Sequence, residues 1–144
     1  MADPRRYFDE IELGEQYESP GRTVTEADIV MIAGLSGDYN VLHTDAEFMK
    51  QTIFGERIAH GLLCLAIQSG LFTRATAPYA TLGFGGLRWK FKAPVKIGDT
   101  VTATCTVTEV IAEKRRAVLS TICKVGDTVV IEGEAMIMVP SRGK

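Results

Sequence analysis

At 144 residues the chain has room for one domain, expected to span residues 1–144, and that size buries roughly 68–70% of the unfolded surface without staples. The hydrophobic and charged fractions, 46% and 24%, are those of an ordinary globular protein. A formal net charge of −2, with no dense basic run, excludes a nucleic-acid footprint.

Three cysteines, Cys64, Cys105 and Cys123, sit in apolar or alternating runs without CxxC spacing. Their odd count predicts reduced, buried thiols, and no apolar leader follows Met1-Ala2-Asp3-Pro4-Arg5-Arg6, so a cytoplasmic protein is expected. The apolar run near residues 58–72 contains His60, Gln68 and Ser69 and is shorter than the roughly 20 residues of a membrane span. It reads as core, and no membrane role is expected.

In chain order, residues 7–24 read as an edge segment, with a polar turn at Leu13-Gly14-Glu15-Gln16 and a short strand closing at Thr23-Val24. Thr25-Glu26-Ala27-Asp28 is a capping-box pattern opening a first helix through Leu35, and Gly37 is its natural stop. Residues 38–57 hold no sustained period and read as loop, with a helical turn at 46–50. From His60 to Thr76 the chain is apolar on every side, which predicts a buried helix stopped by Pro78.

After Thr81 the pattern changes to alternation. Leu87, Trp89 and Phe91 alternate with Arg88, Lys90 and Lys92, and Val101, Ala103, Cys105 and Val107 alternate with threonines. Residues 117–125 and 128–139 are strand-like, with turns at Gly98, Glu113 and Gly126. The shift of parity around Gly83, Gly85 and Gly86 predicts a bulge. Four consecutive hairpin-linked strands are expected to form an antiparallel meander, wrapped around the buried helix in an α+β hot-dog arrangement. The helix also needs cover on the side the sheet leaves open, which a second copy of the chain could provide.

Asp38, Asn40 and His43 place an acid, an amide and an imidazole in six residues. A carboxylate and an imidazole at that spacing on an irregular loop can converge on one water and move its protons. Gly-Asp-x-Asn is equally a common Asx-turn sequence. His60-Gly61 falls at the start of the buried helix, where free N–H groups and the helix dipole favour partial negative charge. Glycine there lets a ligand carbonyl approach an oxyanion-type donor; His60 itself reads better as a cap or a satisfied structural histidine. Two histidines without a cysteine or carboxylate cluster do not suggest zinc, and no GxSxG, P-loop or GxGxxG occurs. Arg88, Lys90 and Lys92 could meet phosphates but read as a solvated face. Ser69 reads as a helix serine bonding its own backbone.

Gly37-Asp38-Tyr39-Asn40-Val41-Leu42-His43-Thr44-Asp45, followed by Ile58-Ala59-His60-Gly61-Leu62-Leu63, resembles the signature of the MaoC-like (R)-specific enoyl-CoA hydratases. The likeness extends to Phe91-Lys92-Ala93-Pro94-Val95 and Gly98-Asp99, and departs at Val41, where the family usually has proline. It implies a single hot-dog domain, Asp38 and His43 as the water-activating pair, and Asn40 as their support. It also implies the Gly61 N–H as the oxyanion donor and Ser69 as a residue lining the acyl site. The implied reaction is syn addition of water to a trans-2-enoyl thioester, or the reverse dehydration of an (R)-3-hydroxyacyl thioester. Coenzyme A would enter as part of the substrate, with no metal or other cofactor, at or near a contact of a homodimer or higher homo-oligomer.

The hot-dog fold also hosts thioesterases and acyl-carrier dehydratases, and a non-catalytic acyl-CoA-binding subunit is a further alternative, since fold alone does not settle function. The relatives in those enzyme branches resemble each other in placing a carboxylate on the central helix. Here no Asp or Glu occurs between Glu56 and Asp99, so Asp38 is the carboxylate best placed for acid–base work.

Overall fold

The computed structural model describes residues 3–76 and 79–143. The edge segment forms β1 (Gln16–Glu18) and β2 (Arg22–Thr23), followed by α1 (Glu26–Ser36), α2 (Val41–Thr44), α3 (Ala46–Met49) and α4 (Gly61–Ala75). Four long strands complete the chain: β3 (Gly83–Phe91), β4 (Thr100–Ile111), β5 (Arg116–Val125) and β6 (Thr128–Met138). All pair antiparallel in one six-stranded sheet of order β1-β4-β5-β6-β3, with β2 also on β4. This is the α+β hot-dog layout expected, with α4 laid on the sheet's inner face.

Side-chain size explains how closely the helix sits. The inward positions of β4, β5 and β6 include Ala103, Cys105, Ala117, Thr121, Cys123 and Ala135, all buried and all small. That shallow floor admits Leu63, Ile67, Leu71 and Phe72 of α4, each contributing about 1.5–3 kcal/mol of burial. Half-buried Trp89 packs against both the Phe72 and the Leu63 ends of this core. The three cysteines are free and buried, and burial pushes the Cys64 thiol up to about 11 and Cys123 to about 12.

Most of the local signals hold. Thr25 and Asp28 form a reciprocal capping box, Gly37 ends α1 in the left-handed region at φ 77°, and the strand register shifts between Phe84 and Gly86. A helical turn forms as expected at α3, whereas α2 replaces loop; Asn40 nucleates it as an N-cap. The stop assigned to Pro78 lies outside the described residues, and α4 ends at Ala75.

One expectation is corrected. β4, β5 and β6 form a meander, but β3 does not hairpin onto β4; it crosses to the far side and pairs with β6. The link 92–99 contains Pro94 and buries Val95 against Leu63 and Ala59, so it runs past the start of α4 instead of turning back. As expected, the sheet leaves one side of α4 open. Leu63, Cys64, Ile67, Gln68, Leu71, Phe72 and Ala75 are buried, while Leu62, Ala66, Gly70 and Thr73 are exposed, because a single sheet covers only one side.

Candidate active site

Local backbone chemistry builds the Asp38–His43 loop. Ser36 Oγ accepts from the Asp38 N–H at 3.1 Å, and Asp38 Oδ1 accepts from the Asn40 N–H at 3.2 Å in an Asx turn. The Asn40 side-chain oxygen then accepts from the Leu42 N–H at 3.0 Å and caps α2, the short helix that carries His43. Turn and site are therefore one object: the Asx bond occupies Oδ1 and leaves Oδ2 free. Val41 takes the first helical position, where proline is favoured, and forms the turn without it.

His43 is buried, and its Nδ1–H donates to the Ile58 carbonyl at 2.8 Å. A carbonyl can only accept, so in the neutral ring the lone pair sits on Nε2. That nitrogen lies 3.8 Å from Asp38 Oδ2. The gap is too long for a direct hydrogen bond, and it suits two groups that each bond one water at about 2.8 Å. Asp38 is half exposed, so water reaches the pair. Behind the loop, the Ile58 N–H donates to the Leu42 carbonyl at 3.1 Å. The Arg57 guanidinium, paired with Glu26, reaches the His43 carbonyl.

Gly61 is the first residue of α4, where backbone N–H groups have no helical carbonyl to bond. The preceding His60 and Ala59 are tied down, Ala59 by its N–H to the Val95 carbonyl at 2.7 Å. A side chain at Gly61 would meet the Phe91 ring at 3.4 Å. Gly61 and Phe91 stand between two cavities: one of about 330 Å³ lined by His43, Phe54, Cys64 and Ile131, and one of about 220 Å³ lined by Asp38, His60, Leu62 and Ile32. A larger apolar groove of about 390 Å³ runs between α1 and α4, sharing Ile32 with the second cavity and holding neither Asp38 nor His43.

The structure thus brings Asp38, Asn40, His43 and Gly61 together. Ser69 lies two turns along α4, half buried on its open face and outside the cavities beside the pair. The reading of His60 as a cap or satisfied histidine is corrected. His60 occupies the N-cap position without a side-chain cap bond, donates from Nε2 to the Asp38 carbonyl at 2.9 Å, and leaves buried Nδ1 without a partner. Its ring is held instead by stacking on His43, with centroids 3.7 Å apart and planes inclined by 22°. The Ile58 carbonyl, Phe54 and Phe91 were not legible as site residues: a main-chain acceptor has no sequence signature, and the aromatics look like any core residues.

Among the described residues, Asp38, His43 and His60 are a group whose ligand atoms lie within 4.8 Å of one another. Imidazole binds a metal through a lone pair in the ring plane. Two rings stacked face to face direct those lone pairs along separate planes, so this trio suits a metal poorly. Arg88 and Lys92 pair with Glu134 and Glu132, consistent with a solvated strand face.

A hot-dog domain with an acid–imidazole pair beside a helix start defines the class of protein. Residues 10–132 match the MaoC like domain, and the chain belongs to that family. It is 48% identical over 138 residues to an (R)-specific enoyl-CoA hydratase of Rhodospirillum rubrum, covering 95% of this chain and 94% of that one. It is 39% identical over 137 residues to a 3-hydroxybutyryl-CoA dehydratase of Methylorubrum extorquens, covering 94% and 85%. The fold superposes on the R-hydratase PhaJ1 of Pseudomonas aeruginosa with TM-score 0.83 at 33% identity, covering 94% and 86% of the two chains.

Proposed function

We propose that the protein is a hydro-lyase that adds water to trans-2-enoyl-CoA to give (R)-3-hydroxyacyl-CoA, or runs the reverse dehydration. The observation that carries this reading is His43, its tautomer set by the Ile58 carbonyl, presenting Nε2 to Asp38 Oδ2 at 3.8 Å. One water held between them gives a proton to Nε2 as its oxygen bonds Cβ of the enoyl group. Electrons of the double bond move to the thioester oxygen, where the Gly61 N–H and the N-terminal end of α4 stabilise the charge. The enolate collapses as the pair returns a proton to Cα on the same face, completing syn addition. The reverse sequence removes the Cα proton and expels the 3-hydroxyl as water.

Within this reading coenzyme A enters as part of the substrate, and neither metal nor redox cofactor is needed. Thioester hydrolysis is disfavoured because α4 carries no carboxylate, and Cys64, though beside the cavity, is held as a thiol by burial. Ser69 would line the acyl site only if the open face of α4 is covered, and the reading includes a homodimer that covers it. The buried, reduced cysteines suit a cytoplasmic location; among the described residues, no helix is long and apolar enough to cross a membrane.

Purified protein is expected to abolish the conjugated-thioester absorbance of a short trans-2-enoyl-CoA. Asp38→Asn or His43→Gln should lower kcat at least about 10²-fold, a loss of the size expected when a positioned acid or base is removed, with the melting curve retained. Release of free thiol would point to a thioesterase, and binding without turnover to a non-catalytic subunit.

A further inference from the structure

His60 is 2% exposed, yet it makes a single hydrogen bond and leaves its other ring nitrogen unpartnered. A buried polar atom without a partner costs about 1–3 kcal/mol, and a leucine or phenylalanine would fill the same space without that cost. Packing alone does not account for histidine here. What the ring does provide is contact with both members of the acid–imidazole pair. Its Nε2–H holds the Asp38 carbonyl, and its face lies against the His43 ring at 3.7 Å.

The other restraints on Asp38 are weaker or more local. Its N–H donates to Ser36 Oγ at the last residue of α1, only two positions away, and its Oδ1 accepts from the Asn40 N–H within the exposed loop itself. The bond from His60 joins that loop to the start of α4, the element that carries Gly61. It therefore ties the carboxylate, the imidazole and the oxyanion donor into one rigid unit.

Resting on the hydratase reading above, we propose that His60 is a positioning residue for the reaction. Its Nε2–H fixes the Asp38 main chain relative to Gly61, so that one water meets both reacting groups. His60 itself touches no reacting atom. Loss of the donor frees the Asp38 loop without unmaking the fold, because the core beneath α4 does not depend on it.

Three variants separate the donor from the shape. In His60→Gln the side-chain amide reaches the place of Nε2 and can still donate to the Asp38 carbonyl. In His60→Asn the amide falls at the place of Nδ1 and cannot. His60→Phe keeps a stacking ring with no donor. In steady-state hydration of a short trans-2-enoyl-CoA, Phe and Asn variants are expected to lose about 30–100-fold in kcat, as misplacement of a reacting group does, with KM within about threefold. The Gln variant should retain kcat within about fivefold, since the donor is restored. Melting temperatures distinguish a kinetic effect from a loss of folded protein.

Equal losses in Gln and Asn, or wild-type kcat in the Phe variant, would overturn the proposal and leave His60 a packing residue. That failure is distinct from failure of the hydratase reading itself. There, Asp38→Asn and His43→Gln would leave turnover intact, or the wild-type protein would show none.

Discussion

At the scale of single residues, the proposed mechanism separates groups that would react from groups that make room. Gly61 makes room: its φ is not in the left-handed region, so glycine is not there for backbone freedom. What distinguishes it is the exposed start of α4 facing Phe91. Alanine favours helix over glycine by up to about 1 kcal/mol, so Gly61→Ala should leave the melting temperature unchanged or raise it slightly. The added methyl would rest in ordinary contact against Phe91 and occupy the space a thioester oxygen needs to reach the N–H, and kcat/KM is expected to fall about 10–100-fold, the range seen when an oxyanion donor is removed. A variant with full activity and raised stability would remove Gly61 from the mechanism. Asp38 and His43 were legible as a pair because residue type and spacing survive in a linear sequence. What orients them was not: the Ile58 carbonyl and the stacked face of His60 come from chain segments some 15 and 17 positions away from His43 and carry no local signature.

At the scale of elements, the same contrast separates β4 through β6 from β3. Alternation of valine, alanine and cysteine with threonine made the three-stranded meander readable, and the turns at Gly98 and Gly126 have the positive φ their residues suggested. The partner of β3 was not readable, because pairing with β6 is a long-range choice decided by the buried link through Val95. Gly133 on β6 shows how tight that pairing is. It sits opposite Trp89, and a Cβ built there would lie 2.1 Å from the Arg88 carbonyl oxygen and 2.7 Å from the indole. Backbone cannot yield as a flexible side chain can. Gly133→Ala is therefore expected to destabilise the fold by about 3 kcal/mol or more, read as a lowered denaturant midpoint. Glycine to alanine on the exposed tip at Gly143 meets nothing within 4 Å and differs by its positive φ alone, which makes it a control for backbone strain without a clash. If Gly133→Ala melts like wild type, β3 is less firmly seated on β6 than the register indicates.

At the scale of the whole molecule, one uncovered apolar surface lies beside the site. Among the described residues β3 is the last strand of the sheet, paired on one side only; Leu87 and Phe91 on it are 51% and 53% exposed, and Leu82 just before it is 72%. The open face of α4 adds Leu62 at 66%. These two apolar regions meet, because Phe91 lies over Gly61 and lines with Leu62 the cavity that holds Asp38. Unpaired strand edges and contiguous apolar patches are normally covered. A second copy adding its own β3 edge would cover both at once and close the Asp38 cavity on its exposed side. Sedimentation at micromolar concentration is expected to give twice the chain mass of 15.7 kDa. Leu87→Asp should place a carboxylate on the shared edge, where burying an unpaired charge costs several kcal/mol, and shift the protein to single-chain mass. Because the cavity would then open to solvent, hydration activity should fall with the dimer, and wild-type activity should decline on dilution through the same dissociation range. A single-chain mass for the wild type at micromolar concentration, with full activity, would show that the site is complete within one copy.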